Sequence, residues 1–532
     1  MGTASVAEIP QTSSRSPSSS RWLRRVALLL SLPALIPLGN AVISPLLKGR
    51  VPTGFVQYEM PYYLANGRQF FNQGFHLTYS NPYAGYNAPN IYFQPHILLL
   101  GLMQQIGLDP GVTFNVFGLL ALFFAATAAA RFYAEAVGAE TGAKKIGFIC
   151  FFWGGGMLTL FGLATVLLTG HPLSSVWKHD PGNGWWMLNF GRNLVYPTEA
   201  YYHGVFLLSL LCLMQRRFAL SLGFAVLLSC SHPFTGLTLS LILIAWSAIE
   251  LAIGSAAVTM RYLLGAVLIA ALHVSYYLFW LNRFSEHRAV QAQWQLKWLY
   301  PPVTFIPALI IVGYFAIRRI KSTSFRCFRD SRMRLFAVWF LVVLALTQHN
   351  LVMRPIQPIH FAHGYDWMAL FFLGSGPLIA LLDRLLKLSI PWVKLGAIAL
   401  LLAFFLTDNA AWLGANAFHN DESLSLSVDQ NGALRWLSVH LTPGDMVICQ
   451  DQLISYLVST YTPARSWQGH RRLTPDFLRR HEEVDRFFRE GTVPEEWRRP
   501  GLFYASPAAW LPRPEMGLRR LYQNSYYSIW SR

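Results

Sequence analysis

Charge is the first thing this sequence lacks. Only 13% of its 532 residues are Asp, Glu, Lys or Arg, and acids are the scarcer half, 26 against 43 bases. A soluble domain carries roughly 25% charged residues, so one soluble globular unit is excluded. Cysteine is scarce as well: Cys150, Cys212, Cys230, Cys327 and Cys449 contain no C-x-x-C pair. Neither a disulfide framework nor a zinc knuckle is indicated. No repeat of fixed period appears, which argues against a solenoid. Matched halves with ionisable groups at mid-membrane, the pattern of a secondary transporter, are also missing.

What the chain has instead is apolar length. Hydrophobic residues make up 53% of it, mean hydropathy is +0.34, and apolar runs of about 20 residues recur, enough to span a bilayer. The formal charge of +17 does not point to nucleic acid, because the bases cluster at the ends of apolar runs, as cytoplasmic loops require. The strongest such cluster holds Arg318, Arg319, Lys321, Arg326, Arg329, Arg332 and Arg334 against Asp330 alone. It fixes one loop as cytoplasmic and the rest by alternation.

The pattern predicts an α-helical polytopic membrane protein of about eleven transmembrane helices with a small C-terminal α/β domain outside the cytoplasm. Residues 1–20 are Ser-rich and are expected to form a disordered cytoplasmic tail. Residues 21–415 form the membrane domain, with outer loops at 48–111, 170–201, 282–302 and 347–366, and residues 420–532 the soluble domain. Val26 to Leu47 is read as a retained helix, and Ile97 to Leu108, short and carrying Gln104 and Gln105, as an interfacial helix. Ile146 to Thr169 is read as a single span. In the tail, Met446 to Cys449, Leu502 to Ala505 and Leu521 to Trp530 read as strands, and Pro475 to Arg489 as a helix capped by Thr474.

Every long polar loop therefore falls outside, where nucleotide cofactors are not normally available. Chemistry there needs a substrate energised by its own leaving group and delivered by the membrane. Glu59 is the only acid between the first apolar run and Asp109, just after the helix leaves the bilayer. A lone acid either serves as a base or pairs with a neighbour such as Arg68. Glu199 and His203, four apart, share a helix face. His360 and His363 have metal-ligand spacing without a third ligand. Arg354 and Arg192 are phosphate-binding or snorkelling arginines, and Trp186 is a sugar-packing or interfacial aromatic.

Gln57-Tyr58-Glu59, the tyrosines after it, Asn81-Pro82-Tyr83 and the proline before the interfacial helix resemble the GT-C superfamily of polyprenyl-phosphate-sugar glycosyltransferases. Trp467-Gln468-Gly469-His470, Leu473-Thr474-Pro475 and Leu521-Tyr522-Gln523-Asn524 resemble the extracytoplasmic tail of bacterial members. The family usually places Asp, often with a second acid, where this chain has Glu59. The resemblance implies an inverting transfer of sugar from a polyprenyl-phosphate donor to a glycan, lipid or protein hydroxyl, at a bacterial-type plasma membrane, without nucleic acid. It implies Glu59 as the catalytic base. Arg68, Tyr92, His96, Trp186, Arg192, Glu199, His203, Arg354, His360 and His363 are expected to bind substrate. The resemblance makes no cofactor certain and leaves a divalent cation open. A transporter or flippase, or a non-catalytic envelope-assembly protein, is the competing class.

Overall fold

A computed structural model describes residues 17–180, 184–293, 298–418, 424–497 and 499–532. Residues 1–16, most of the expected tail, lie outside the described residues. The protein is a helical membrane domain carrying a small mixed sheet near its C-terminal end. Among the described residues, seven helices are long and apolar enough to cross a bilayer, and a bent pair makes an eighth. The three other expected spans are the helices Pro197–Met214, Phe218–Ser231 and Ser331–Thr347.

The third expected span is not one helix. Gly142–Trp153 and Leu158–Thr169 meet at 61°. The sequence of the break is Gly154-Gly155-Gly156, and it passes too close to its neighbours for side chains. A Cβ on Gly156 would lie 2.3 Å from the carbonyl oxygens of Pro307 and Ala308. The second half then needs its first amide groups satisfied. Asp408 does this, accepting from Leu158 N at 3.0 Å and Thr159 N at 2.8 Å.

The short helix Pro95–Gln104 starts on a proline, as the fixed φ of that residue favours. It crosses the helix Pro61–Gln69 so closely that Gly67 and Gly101 cannot carry a Cβ; one on Gly101 would lie 2.3 Å from the Gly67 carbonyl oxygen. The next long helix, Pro110–Ala136, has Asp109 as its N-cap.

In the tail, strand β3 (Met446–Cys449) runs parallel to β4 (Arg465–Ser466) and to β5 (Leu502–Pro507). The last strand, β7 (Tyr527–Ser531), is antiparallel to β5 and to β6 (Arg519–Gln523), giving the order β4-β3-β5-β7-β6. The stretch read as one strand from Leu521 to Trp530 is thus a hairpin, turned at Asn524, whose Oδ1 accepts from Tyr526 N and Tyr527 N. Met446 and Ile448 face one apolar cluster, Val447 and Cys449 the other, which is why β3 is apolar throughout. The helix expected at Pro475 runs Phe477–Glu490, and its N-cap is Asp476. Thr474 instead donates to the His470 carbonyl.

Two arginines dock the first polar loop onto the tail. Arg465 donates to the carbonyls of Asn81 and Gly85 and to Ser80 Oγ. Arg480 donates to those of Tyr83 and Ala84 and stacks on Trp467. A two-stranded pairing of β1 (Val51–Pro52) with β2 (Ser425–Leu426) adds a second tie. Residues about 400 positions apart in sequence therefore share one wall.

Candidate functional site

Glu59 sits in the turn immediately before the helix Pro61–Gln69. Its Oε2 lies 2.7 Å from His470 Nε2 and its Oε1 lies 3.5 Å from Arg472. The imidazole is fixed from all sides. Its Nδ1 accepts from the backbone N–H of Arg472 at 3.1 Å, so the ring proton sits on Nε2 and points at the carboxylate. The rings of Tyr58, Tyr62 and Tyr456 surround it at 4.9–5.8 Å. Tyr456 also donates to the Tyr58 carbonyl at 2.7 Å, locking the residue before Glu59. Burial alone would raise the Glu59 carboxyl; the positive Nε2–H end of His470, by electrostatics and hydrogen bond, and the charge of Arg472 outweigh it and hold it below the ordinary carboxylate range. The result is an ionised, oriented carboxylate.

That carboxylate opens onto a cavity of about 1650 Å³. Among the expected site residues, Glu59, Tyr92, Trp186, Glu199, Arg354, His360 and His363 line it. Tyr92 shares a hydrogen bond of 3.0 Å with His287 Nδ1, and His287 lies on the same wall. Trp186 packs edge-on against Trp298 at 4.6 Å and against His360 at 5.0 Å. Arg472 stacks over Trp298 at 5.0 Å, so one guanidinium touches both Glu59 and the aromatic wall.

The remaining expected residues stand behind the wall. His203 is buried, with Nδ1 2.8 Å from the Glu199 carbonyl and Nε2 2.9 Å from the His363 carbonyl. It braces those two residues. His96 is buried against the Tyr202 hydroxyl at 3.0 Å. Arg68 does not pair with Glu59; it donates to the Thr460 carbonyl at 3.0 Å, fastening the first loop to the tail. Arg192 is fully buried in an ion pair of 2.6 Å with Asp180. It also donates to Asn409 Oδ1 at 2.7 Å and the Asp408 carbonyl at 3.0 Å. The anion-binding capacity of Arg192 is used up by the protein, beside the Asp408 cap that stabilises the helix break.

Reading the sequence alone missed Arg472, Trp298 and His287 as cavity residues, and His470 as the partner of Glu59. His470 lay in the Trp467-Gln468-Gly469-His470 segment on which the tail resemblance rests, but 411 positions separate it from Glu59. No local spacing joins them. The pair His360 and His363 turn toward each other, with ring nitrogens 3.4 Å apart. Among the described residues, no group of three or more His, Cys, Asp or Glu side chains is arranged to hold a metal ion.

No protein-family model matches the chain, and no curated protein matches it. A solved structure does: ArnT from Cupriavidus metallidurans, crystallised bound to undecaprenyl phosphate. The TM-score is 0.51 at 12% sequence identity, over 97% of this chain and 98% of that one. The chain therefore has the ArnT fold along nearly its whole length, membrane helices and tail included.

Proposed function

We propose that this protein is an inverting GT-C glycosyltransferase. It moves a sugar from a polyprenyl-phosphate carrier to an acceptor hydroxyl at the outer face of the membrane. The observation that carries this reading is the oriented Glu59 carboxylate at the wall of a large cavity that also holds Arg472 and Arg354. The ArnT fold and the loop resemblance support it; the lipid phosphate bound to ArnT suggests the class of donor.

The reaction asks for one base and an anion site. Glu59 takes the proton of the acceptor hydroxyl as its oxygen attacks the anomeric carbon. The bond from that carbon to the phosphate oxygen breaks, and the electron pair leaves on the lipid phosphate. Arg472 and Arg354 meet the charge of the departing group. One displacement inverts the anomeric centre. His470 acts through Glu59: it fixes the carboxylate rotamer and keeps the base ionised.

Two expected results test the parts of this scheme. His470→Ala removes the Nε2–H donor and leaves Arg472 alone to oppose burial. Transfer should fall on the order of 10²-fold through misplacement of the base. The acid limb of the kcat/KM profile should also move to higher pH, because a base with a raised pKa loses activity sooner as pH falls. His470→Gln, which can present an amide N–H, should restore part of both. A reduced rate with an unmoved acid limb contradicts this role. For orientation, the positive-inside pattern places the loops 48–111, 170–201, 282–302 and 347–366, and residues 420–532, outside. A reporter fused after Arg532 that works only in the cytoplasm should be silent. Activity would reverse the proposed face.

A further inference from the structure

A transferase needs a place for each of two substrates. At about 1650 Å³ the cavity exceeds the roughly 300–1,000 Å³ of a pocket for one small ligand. Its walls differ in chemistry. Arg472 and the indoles of Trp298 and Trp186 form one. The other is built of tyrosines: Tyr63, Tyr79, Tyr92, Tyr276 and Tyr277 line it. Burial, and after it the nearby hydroxyls of Tyr276, Tyr92, Tyr277 and Tyr63, hold the Tyr79 hydroxyl well above the usual phenol range. The five hydroxyls therefore form one neutral cluster. The rings of Tyr79 and Tyr92 lie 5.5 Å apart and those of Tyr276 and Tyr277 4.9 Å. Tyr62 ties the cluster to the base: its ring stacks on Tyr63 at 4.1 Å and meets His470 at 5.8 Å.

The backbone is distorted here. The helix Met260–Val274 runs into a π-helical turn, Ser275–Trp280, a feature that collects at functional sites. The turn presents two consecutive tyrosines to the cavity. Tyr276 is spent on the first loop: it donates to the Ile91 carbonyl and accepts from Phe93 N, both at 3.0 Å. Tyr277 is not spent. Among the described residues its hydroxyl is buried without a hydrogen-bond partner, a loss that a ligand would repair. Tyr79 gives its proton to Gln94 Oε1 at 2.7 Å, which leaves its lone pairs open. Tyr92 shares one hydrogen bond with His287 Nδ1, and burial pulls His287 down to about 4, so that ring is neutral. Burial first, then Tyr276 and the Glu286 carboxylate, push the Tyr92 hydroxyl above its ordinary range; the charge felt at Tyr92 is negative. Arg288, next to His287, donates to the carbonyls of Asn282 and Arg283. A phosphate or carboxylate only accepts, and this wall offers it mostly lone pairs with a carboxylate behind them. A sugar hydroxyl can donate to those lone pairs, and the tyrosine faces suit the C–H faces of a pyranose ring.

We infer that the tyrosine wall seats the acceptor, and that the acceptor is a neutral, polyhydroxylated sugar and not a phosphorylated or acidic one. This rests on the glycosyltransferase reading. The test is photo-crosslinking of the full-length protein in nanodiscs, read by mass spectrometry of the labelled peptides. The probes are an alkyl hexoside with a diazirine in its aglycone, the matching hexuronide and the matching hexose 6-phosphate. Binding of a polyprenyl phosphate is measured in parallel. The neutral hexoside should label residues 79–94 or 273–291, which carry the tyrosine wall. It should label them about 10-fold or more above either anionic probe, because like charges set together are strongly disfavoured. Tyr277→Phe should weaken that labelling by about 3–10-fold, the worth of one hydrogen bond. Polyprenyl phosphate binding should be unchanged in the variant, which also reports that it is folded. Four results overturn this inference and leave the functional reading in place, provided the polyprenyl phosphate binds: no neutral labelling at this wall, equal or stronger labelling by an anionic probe, displacement of the neutral probe by the polyprenyl phosphate, and unchanged labelling in Tyr277→Phe. If the polyprenyl phosphate does not bind, the functional reading falls, and this one with it.

Discussion

Glu59→Gln is expected to reduce transfer from a polyprenyl-phosphate-linked sugar by roughly 10²–10⁴-fold, the usual worth of a general base. Glutamine keeps the size of the side chain and an oxygen to accept from His470 Nε2, which now lies 2.7 Å from the carboxylate. It removes only the ability to take a proton. Donor binding should change much less, because the proposed scheme assigns the phosphate to Arg472 and Arg354, not to Glu59. The pattern to look for is a fall in kcat with KM for the donor nearly constant. Glu59→Asp should keep part of the activity, since the family resemblance places Asp at this position. It will be the weaker enzyme here, because the shorter chain draws the carboxylate away from an imidazole that the Arg472 amide and three tyrosines hold still. A well-folded Glu59→Gln protein with near wild-type transfer removes Glu59 from the chemistry.

The largest expected effect on stability lies elsewhere, at Asp180. Its side chain is 2% exposed and that of Arg192 is fully buried, 2.6 Å apart. Burial raises the Asp180 carboxyl in spite of the arginine beside it, a sign of how dry the site is. Asp180→Asn leaves a guanidinium without its counter-charge. Losing one partner of a buried pair costs about 3–5 kcal/mol, and Arg192 also holds Asn409 and the Asp408 carbonyl, so the cap on the broken helix loosens with it. The expected result is a strongly lowered unfolding temperature in detergent, with the protein that remains folded showing an ordinary KM for the donor. Replacing both partners by apolar residues of similar size should restore much of the stability. If Arg192 served the substrate instead, Asp180→Asn would change KM and leave the unfolding temperature in place.

How much of this was legible before any coordinates follows from where each signal is written. The alternation of apolar runs and basic ends is local, and it gave the helical order down to the short helix at Pro95. Strand β3 could be read because four apolar residues stand next to a Pro-Gly-Asp turn. The break at Gly154 was missed although three glycines spell it out, because glycine is common in membrane helices and only the approach of Pro307 and Ala308 forces the bend. Glu59 stood out as the one acid in a long stretch. Its partner did not, because the pairing with His470 is made by folding the tail over the first loop, through Arg465 and Arg480. The arginines illustrate the same limit. Sequence offered Arg354 as the phosphate site with Arg192 behind it; Arg192 is spent on the Asp180 carboxylate, while Arg354 lines the cavity, and nothing local in the sequence tells the two apart.

The central claim is that this cavity receives a lipid-linked phosphate beside Glu59. The most direct measurement is a cryo-EM structure of the full-length protein in nanodiscs with a polyprenyl phosphate added. The account predicts phosphate density inside the cavity, within hydrogen-bond reach of Arg472 or Arg354, with the lipid tail leaving between helices toward the bilayer and Glu59 still held by His470. Phosphate density at the basic segment Arg318 to Arg334, with this cavity empty, would contradict it.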